Sequence, residues 1–319
     1  MKHKNAVFAL LFSVFCSSTV PLFLKYFTPY LDAWTVNGYR YGVVLLVMLP
    51  IIVKLAYDGK YTAYMWKMAL IPAAFNFLQQ IAWAWAPYYI DPGLIGFLVK
   101  TTVAWSIIGS FFLFSDERFL LREFRFWLGL VISLLGFAGL SYYGNHITLS
   151  GTFFGVLLVL ISSLFMAMYG LAVKRYFNET NALISFSVIA FYTGMGTVAL
   201  MFILGQPAKF MIIPYKIRIL VAVSAFIGIN LAHVLFYVSL RFLGVMISYS
   251  ISLFSAFFTA VLSYLLYNET LRFFQWIAGS MIIFGGLIII ASKNRKTVVQ
   301  NGKREEQNKF SEEQNEFAS

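Results

Sequence analysis

Residues 96–105 read GFLVKTTVAW, and Lys100 is the one charged residue between Pro92 and Phe114. An ammonium group in apolar surroundings, with no carboxylate in its own segment, is costly in a membrane. Two arrangements would tolerate it. The stem can snorkel to the nearer interface, or the charge can face a wet cavity and attract an anion. The spacing favours the second. Gly96, Lys100 and Ala104 recur every four residues and share one helix face. That face is small or polar, whereas Phe, Leu, Ile and Val fill the others, and such faces pack on helices or line cavities rather than meet lipid.

Two further segments carry polar groups at helical spacing. Asn76, Gln80 and Trp83 lie along one face, with Gln79 at its edge, and Asn230, His233 and Tyr237 follow at i, i+3 and i+7. Interhelical hydrogen bonding explains any one of them. Amides and an imidazole together are costly to hide from water, so the set points to a cavity. Trp83, Trp85, Tyr237 and Tyr249 could stack on a planar substrate or simply pack. Arg40, about six residues into its segment, is read first as a snorkelling anchor and alternatively as a gate-closing donor. Cys16, among Ser13, Ser17 and Ser18, reads as a packed small residue.

The missing groups are equally informative. No Asp or Glu falls inside any apolar segment, which argues against an intramembrane proton-carrying carboxylate. Exchange, facilitated diffusion or coupling through His233 remain. The chain has no H-E-x-x-H motif, no Cys/His cluster and no usefully placed G-x-S-x-G, so neither an enzyme nor a cofactor or metal site is expected.

The elements that must position these groups are membrane helices. The chain has 319 residues, 60% hydrophobic and 12% charged, with mean hydropathy +0.77. Soluble domains carry about 25% charged residues. A spanning helix needs about 20 apolar residues. Ten stretches qualify: 6–24, 34–53, 68–88, 93–114, 125–143, 151–173, 182–204, 218–240, 245–266 and 273–291. The runs are too long for barrel strands, and an isolated strand leaves its backbone unsatisfied in lipid. The first run exceeds a usual signal-peptide core and no A-x-A site follows, so it reads as a retained helix. Residues 293–319 are rich in Lys, Glu, Gln and Asn and are expected to be disordered. The net charge of +11 is spread over loops and this tail, which argues against nucleic acid as a partner. With the N-terminus inside, seventeen lysines and arginines fall on the inner side and six outside. Both termini are therefore expected in the cytoplasm.

The chain also contains a weak second copy of itself. FFLFSDERFL (111–120) matches SYLLYNETLR (263–272), which aligns Asp116-Glu117 with Asn268-Glu269. Glu117 and Glu269 sit at segment ends, where a carboxylate can meet water or a backbone amide. Leu128-Gly129 and Ala278-Gly279 open matching helices, and Gly136 and Gly286 follow seven residues later. Counterparts of Gly96, Lys100 and Ala104, 152 residues on, are Ser248, Ser252 and Ala256. Five helices per half is an odd number, so the halves enter the membrane from opposite sides, as in secondary transporters with a substrate site at the repeat interface.

Each half resembles the EamA repeat of the drug/metabolite transporter superfamily. The shared pattern is a small-residue helix, a Glu at its end, an amphipathic link and a Gly-x6-Gly helix. Leu31-Asp32-Ala33-Trp34 with Arg40 also resembles that family's second helix. The resemblance covers residues 6–291 and implies an all-α polytopic membrane protein of ten transmembrane helices, as two inverted five-helix repeats. These are 1–147 and 148–292, followed by the tail. It also implies that helices four and nine line a central cavity, which would set Lys100 opposite Ser252. One departure matters: members usually have a proline thirteen residues before the Glu, where this chain has Ala104 and Ala256. Any hinge must lie elsewhere.

The expected protein is thus a multi-pass carrier in a bacterial inner membrane. It would move a small polar metabolite with an anionic group, such as an amino acid, organic acid or nucleotide-like compound, by alternating access. Its partners are that small molecule and the lipid bilayer, and the sequence sets no oligomeric state. A non-transporting sensor or assembly subunit, docking through its tail, is the alternative.

Overall fold

The computed structural model describes residues 2–90, 95, 98–143, 153–255, 257–258, 261–262, 273–274 and 276–292. Every regular element among them is helical. In chain order they are α1 (Lys2–Ser18), α2 (Val20–Phe27), α3 (Ala33–Tyr57), α4 (Ala63–Tyr89), α5 (Thr101–Leu113), α6 (Phe124–Tyr143), α7 (Phe153–Phe177), α8 (Ala182–Leu204), α9 (Lys209–Ile212), α10 (Tyr215–Ala225), α11 (Ala232–Leu243) and α12 (Val245–Ile251). A 3-10 turn covers Arg118–Arg122, a π-helical segment covers Phe226–Leu231, and α13 spans Trp276–Ser292. The tail, Gly96, Ala256 and Glu269 lie outside the described residues.

Five helical stretches are long and apolar enough to cross a membrane: Lys4–Phe27, Ala33–Tyr57, Phe153–Phe177, Ala182–Leu204 and Tyr215–Leu243. At 27 residues α4 matches them in length, but Asn76, Gln79, Gln80 and three lysine- or proline-bearing turns lower its hydropathy. Thr101–Leu113, the Phe124–Gly139 part of α6 and Trp276–Ser292 are shorter apolar stretches. Phe8, Leu46, Phe112, Phe153, Phe202 and Ile203 stand exposed on outward faces, as a lipid-facing band requires.

Local chemistry sets the helix starts. Asp32 caps α3, its Oδ1 accepting from Thr35 N at 2.9 Å and its Oδ2 from Thr35 Oγ1 at 2.6 Å. Thr62 caps α4 and Asn181 caps α8 in the same manner. Helix α12 is different: Gly244 precedes it at φ +90°, and its first amides find their acceptor on a distant residue.

The halves interlock. Helix α4 of the first packs on α7 and α8 of the second, α3 on α8, α5 on α7, and α1 on α11. Small residues allow close approach, as expected in lipid. A Cβ on Gly129 would lie 2.6 Å from Gly285 O, and one on Gly136 2.6 Å from Ala278 O, so α6 and α13 touch backbone to backbone. The main apolar core runs through both halves, including Tyr41, Phe126, Phe186, Met246 and Tyr249. A smaller cluster gathers Val20, Leu24, Phe27, Leu31 and Val36 under Ile213, Ile217 and Val221.

The segments expected as helices four and nine are each interrupted, though neither contains a proline. The first is interrupted by a turn at Val99–Lys100 and the second by a turn at Ser252–Leu253. Lys100 and Ser252 are repeat counterparts, so the breaks coincide. At each break the backbone tightens to i→i+3 bonds, Val103 N to Lys100 O at 3.0 Å and Ser255 N to Ser252 O at 3.0 Å.

Candidate functional site

Polar groups from both halves converge where α3, α4, α7, α8, the π segment and α11 meet. On α4, Asn76 Nδ2 donates to Tyr41 Oη at 3.4 Å and to Thr193 Oγ1 at 3.3 Å, which joins α3, α4 and α8. On α3, Asn37 Nδ2 donates to Gln80 O at 3.3 Å. On α7, Tyr169 Oη pairs with Tyr237 Oη at 2.5 Å and with His233 Nδ1 at 3.2 Å. Tyr41 lies within electrostatic reach of both Tyr169 and Tyr237. Phe186 closes the set edge-on against His233 and Tyr237.

Five buried polar side chains on α3, α4 and the π segment retain unpartnered polar atoms. They are Asn37 Oδ1, Arg40 Nε, Asn76 Oδ1, Gln80 Oε1 and both amide atoms of Asn230. Leaving a buried polar atom unmatched costs about 1–3 kcal/mol, and more for a charge. Clusters of such atoms in a native fold call for an explanation. The π turn bears on this, because single π turns inside α-helices recur at functional sites. Here it carries Asn230, and Arg40 Nη2 lies 3.6 Å from where a Cβ on Gly228 would stand. Arg40 is also within electrostatic reach of His233.

Arg40 corrects the first reading of it. Snorkelling would leave the guanidinium at a surface, yet Arg40 is 1% exposed and ranks among the largest fully buried side chains. Its stem cannot extend outward because α3 is enclosed here by α8, α10 and the π segment. It therefore also leaves the set of outer loop charges.

Lys100 takes another position than an unpaired cavity charge. Its Nζ donates to Ser252 O at 2.9 Å and to Ser255 Oγ. Ser252 Oγ turns back to Tyr249 O at 2.6 Å. Lys100 and Ser252 thus do meet, but as a link between helix breaks. Tyr249 offers no ring face: it is fully buried, donates to Met166 O at 2.5 Å and packs on Phe236. Trp83 is half-buried between the outer cluster and a small one of Ala86, Ile90, Ile95 and Val159. Trp85 joins Trp34 and Tyr88 at the same end. Gln79 bonds Ser162 across the α4–α7 contact at 3.4 Å. Asn76, Gln80, Asn230, His233, Tyr237 and Arg40 form the convergent group.

Five contributors escaped sequence reading: Asn37, Tyr41, Tyr169, Phe186 and Thr193. Asn37 lies one turn before Arg40, and Tyr169 sits in the last third of a mostly apolar helix, which are weak signals. The residues that were named do share a repeat signal, since an offset of 154 residues maps Asn76, Gln79 and Trp83 onto Asn230, His233 and Tyr237.

A second polar group lies at the other end of α7. Glu117, 3% exposed, accepts from Val245 N at 2.7 Å and Met246 N at 2.8 Å. It also pairs with Lys174 Nζ at 2.7 Å, which reaches Asp116 at 2.8 Å. One carboxylate of the first half thereby caps α12 of the second. Among the described residues no group of three or more His, Cys, Asp or Glu could hold a metal.

Known proteins agree with this architecture. The pattern of the EamA-like transporter family matches twice, over residues 4–142 and 153–291. A Haemophilus influenzae protein described as an uncharacterized transporter is 22% identical over 207 residues, 64% of this chain and 67% of its own. A solved structure, described only as a crystal structure of protein, superposes with TM-score 0.67 at 14% identity, over 90% of this chain and 97% of its own, a likeness of fold. With both halves matched, apolar helices throughout and polar groups gathered between the halves, the chain belongs to the EamA-like transporter family and is a multi-pass membrane transporter.

Proposed function

We propose that the protein is a secondary carrier of ten spanning helices in two inverted halves. It moves a small polar metabolite bearing an anionic group across an inner membrane by alternating access. Both termini face the cytoplasm, and with Arg40 removed from the outer loops the charge asymmetry behind that orientation grows. Asn76, Gln80, Asn230, His233 and Tyr237 line the substrate cavity, and Lys100 with Ser252 tie the helix breaks that move.

One observation carries the reading: hydrogen-bonding groups of both halves meet along a single seam. Asn76 reaches Thr193, Lys100 reaches Ser252, and Ser13 Oγ reaches Ala232 O at 2.6 Å. Interhelical hydrogen bonds in lipid are worth about 0.6 kcal/mol on average, so such a seam can exchange partners as the halves rock. An apolar seam packed to crystal density would resist that sliding.

Cys16 is the single cysteine, which simplifies the test. In a Cys16→Ser background, a cysteine at Asn76 or Asn230 is probed with an impermeant maleimide from each face of oriented vesicles. A carrier gives labelling from both faces, with substrate shifting the balance. Labelling confined to one face in every condition sinks alternating access.

A further inference from the structure

Arg40 and Lys174 are both buried cations, and they are treated differently. Lys174 is met by Glu117 at 2.7 Å and Asp116 at 2.8 Å. Arg40 has no acidic partner among the described residues, and its Nε has no hydrogen-bond partner. A buried charge stripped of its counterion is strongly destabilising. Among the described residues, a carboxylate meets Lys174 and none meets Arg40.

The surroundings of Arg40 specify a ligand. Arg40, Asn37, Asn76, Gln80 and Asn230 are each no more than 5% exposed. Their unpartnered atoms comprise two donors, Arg40 Nε and Asn230 Nδ2, and four amide oxygens, on Asn37, Asn76, Gln80 and Asn230. The cluster holds one positive charge and no negative one. A matching molecule therefore carries one negative charge toward Arg40 and neutral hydrogen-bond donors toward the amides. The planar guanidinium fork suits a carboxylate. A phosphate ester, with close to two negative charges at neutral pH, would leave one charge unneutralised in a buried site.

Resting on the carrier reading above, we infer that Arg40 and Asn230 bind the carboxylate of a small monoanionic substrate, whose hydroxyl or amide donors meet Asn37, Asn76 and Gln80. Lys100 is not the anion-binding residue, because Ser252 and Ser255 already engage its ammonium. With no acid beside it among the described residues, the guanidinium is available to substrate. The amides then discriminate by hydrogen bonding, which is sharper than discrimination by apolar fit.

The test uses the full chain in nanodiscs with glycerate and N-acetylglycine, their methyl esters, and glycerol 3-phosphate, read by thermal shift. The acids raise the melting temperature of the native protein, while the esters and the phosphate do not. Arg40→Met and Asn230→Ala each weaken acid binding about 10-fold or more. If Arg40→Met does not fold, Arg40→Lys replaces it, keeping the charge but losing the fork, with the same weakening expected. The inference is overturned if no acid binds, if esters or the phosphate bind as well as acids, or if the variants bind acids like the native protein. Counterflow in proteoliposomes separates the two readings. Acid binding without flux removes the carrier and leaves the site standing, whereas flux of the esters alone keeps the carrier and removes the site.

Discussion

Lys100 Nζ lies 2.9 Å from the carbonyl oxygen of Ser252, the residue 152 positions further on that occupies the same place in the second repeat. Each residue sits at a turn interrupting its helix. A broken helix in lipid must find new partners for its freed backbone groups. Here the Lys100 side chain at one break serves the Ser252 carbonyl at the other, so a residue of the first half stabilises the irregular backbone of the second.

Lys100→Ala is expected to lower stability by about 1–3 kcal/mol, the range for losing a charge-assisted hydrogen bond and stranding its acceptor. Ser252→Ala should change little, within about 0.5 kcal/mol, because the bond uses the Ser252 backbone and its hydroxyl turns to Tyr249 O. Unfolding in detergent measures both. In flux assays Lys100→Ala should slow charged and neutral substrates alike. Slowing of anions alone would return Lys100 to the binding site.

The Glu117 bridge should be a main determinant of stability. Glu117→Ala strands Lys174 and the amides of Val245 and Met246, for an expected loss of about 3–5 kcal/mol. Adding Lys174→Met should recover part of it, since the second variant removes the buried charge. Asp116→Asn should cost about 0–1 kcal/mol, because that side chain is 67% exposed. A double-mutant cycle on melting data tests the ordering.

Gly244→Ala and Gly59→Ala make an informative pair. Both glycines have positive φ, +90° and +63°, and Gly244 combines it with ψ 170°; such backbone costs an L-residue about 1–3 kcal/mol. A Cβ on Gly59 meets nothing within 4 Å, whereas one on Gly244 would stand 2.6 Å from Glu117 Oε1. Gly244→Ala should therefore be clearly the worse, and equal losses would show that Glu117 can move aside freely.

Gly129→Leu should separate α6 from α13. The new side chain would enter the space held by Gly285 O, Ile289 and its amide, and overpacking of that kind costs about 1–3 kcal/mol or more. Leu135→Ala on the exposed face of the same helix is the control, expected within about 0.5 kcal/mol. Comparable losses would place the α6–α13 contact elsewhere.

Much of the fold was legible beforehand because it rests on local chemistry. Apolar runs of spanning length become helices wherever the backbone must satisfy itself, and α3, α7 and α8 begin and end within a few residues of the expected spans. Caps such as Asp32 and Asn181 act within three residues and are visible in the string itself. The polar positions Asn76, Gln80, Asn230, His233 and Tyr237 could be named for the same reason: an amide or imidazole in an apolar run is conspicuous without knowledge of its neighbours.

The sequence by itself therefore determined which segments are helical, that they come in two related sets, and which residues are too polar for lipid. What each polar residue does was decided only by tertiary structure. Whether Arg40 reaches a surface, whether Lys100 is free, and which amides Glu117 caps all depend on groups lying 100 or more residues away. Hydrogen bonds and ion pairs act over about 3 Å of space, and a side chain several bonds long can satisfy several addresses until packing selects one. The π turn at Asn230 and the breaks at Lys100 and Ser252 belong to the same class, since their backbone is held by contacts between the halves rather than by propensity.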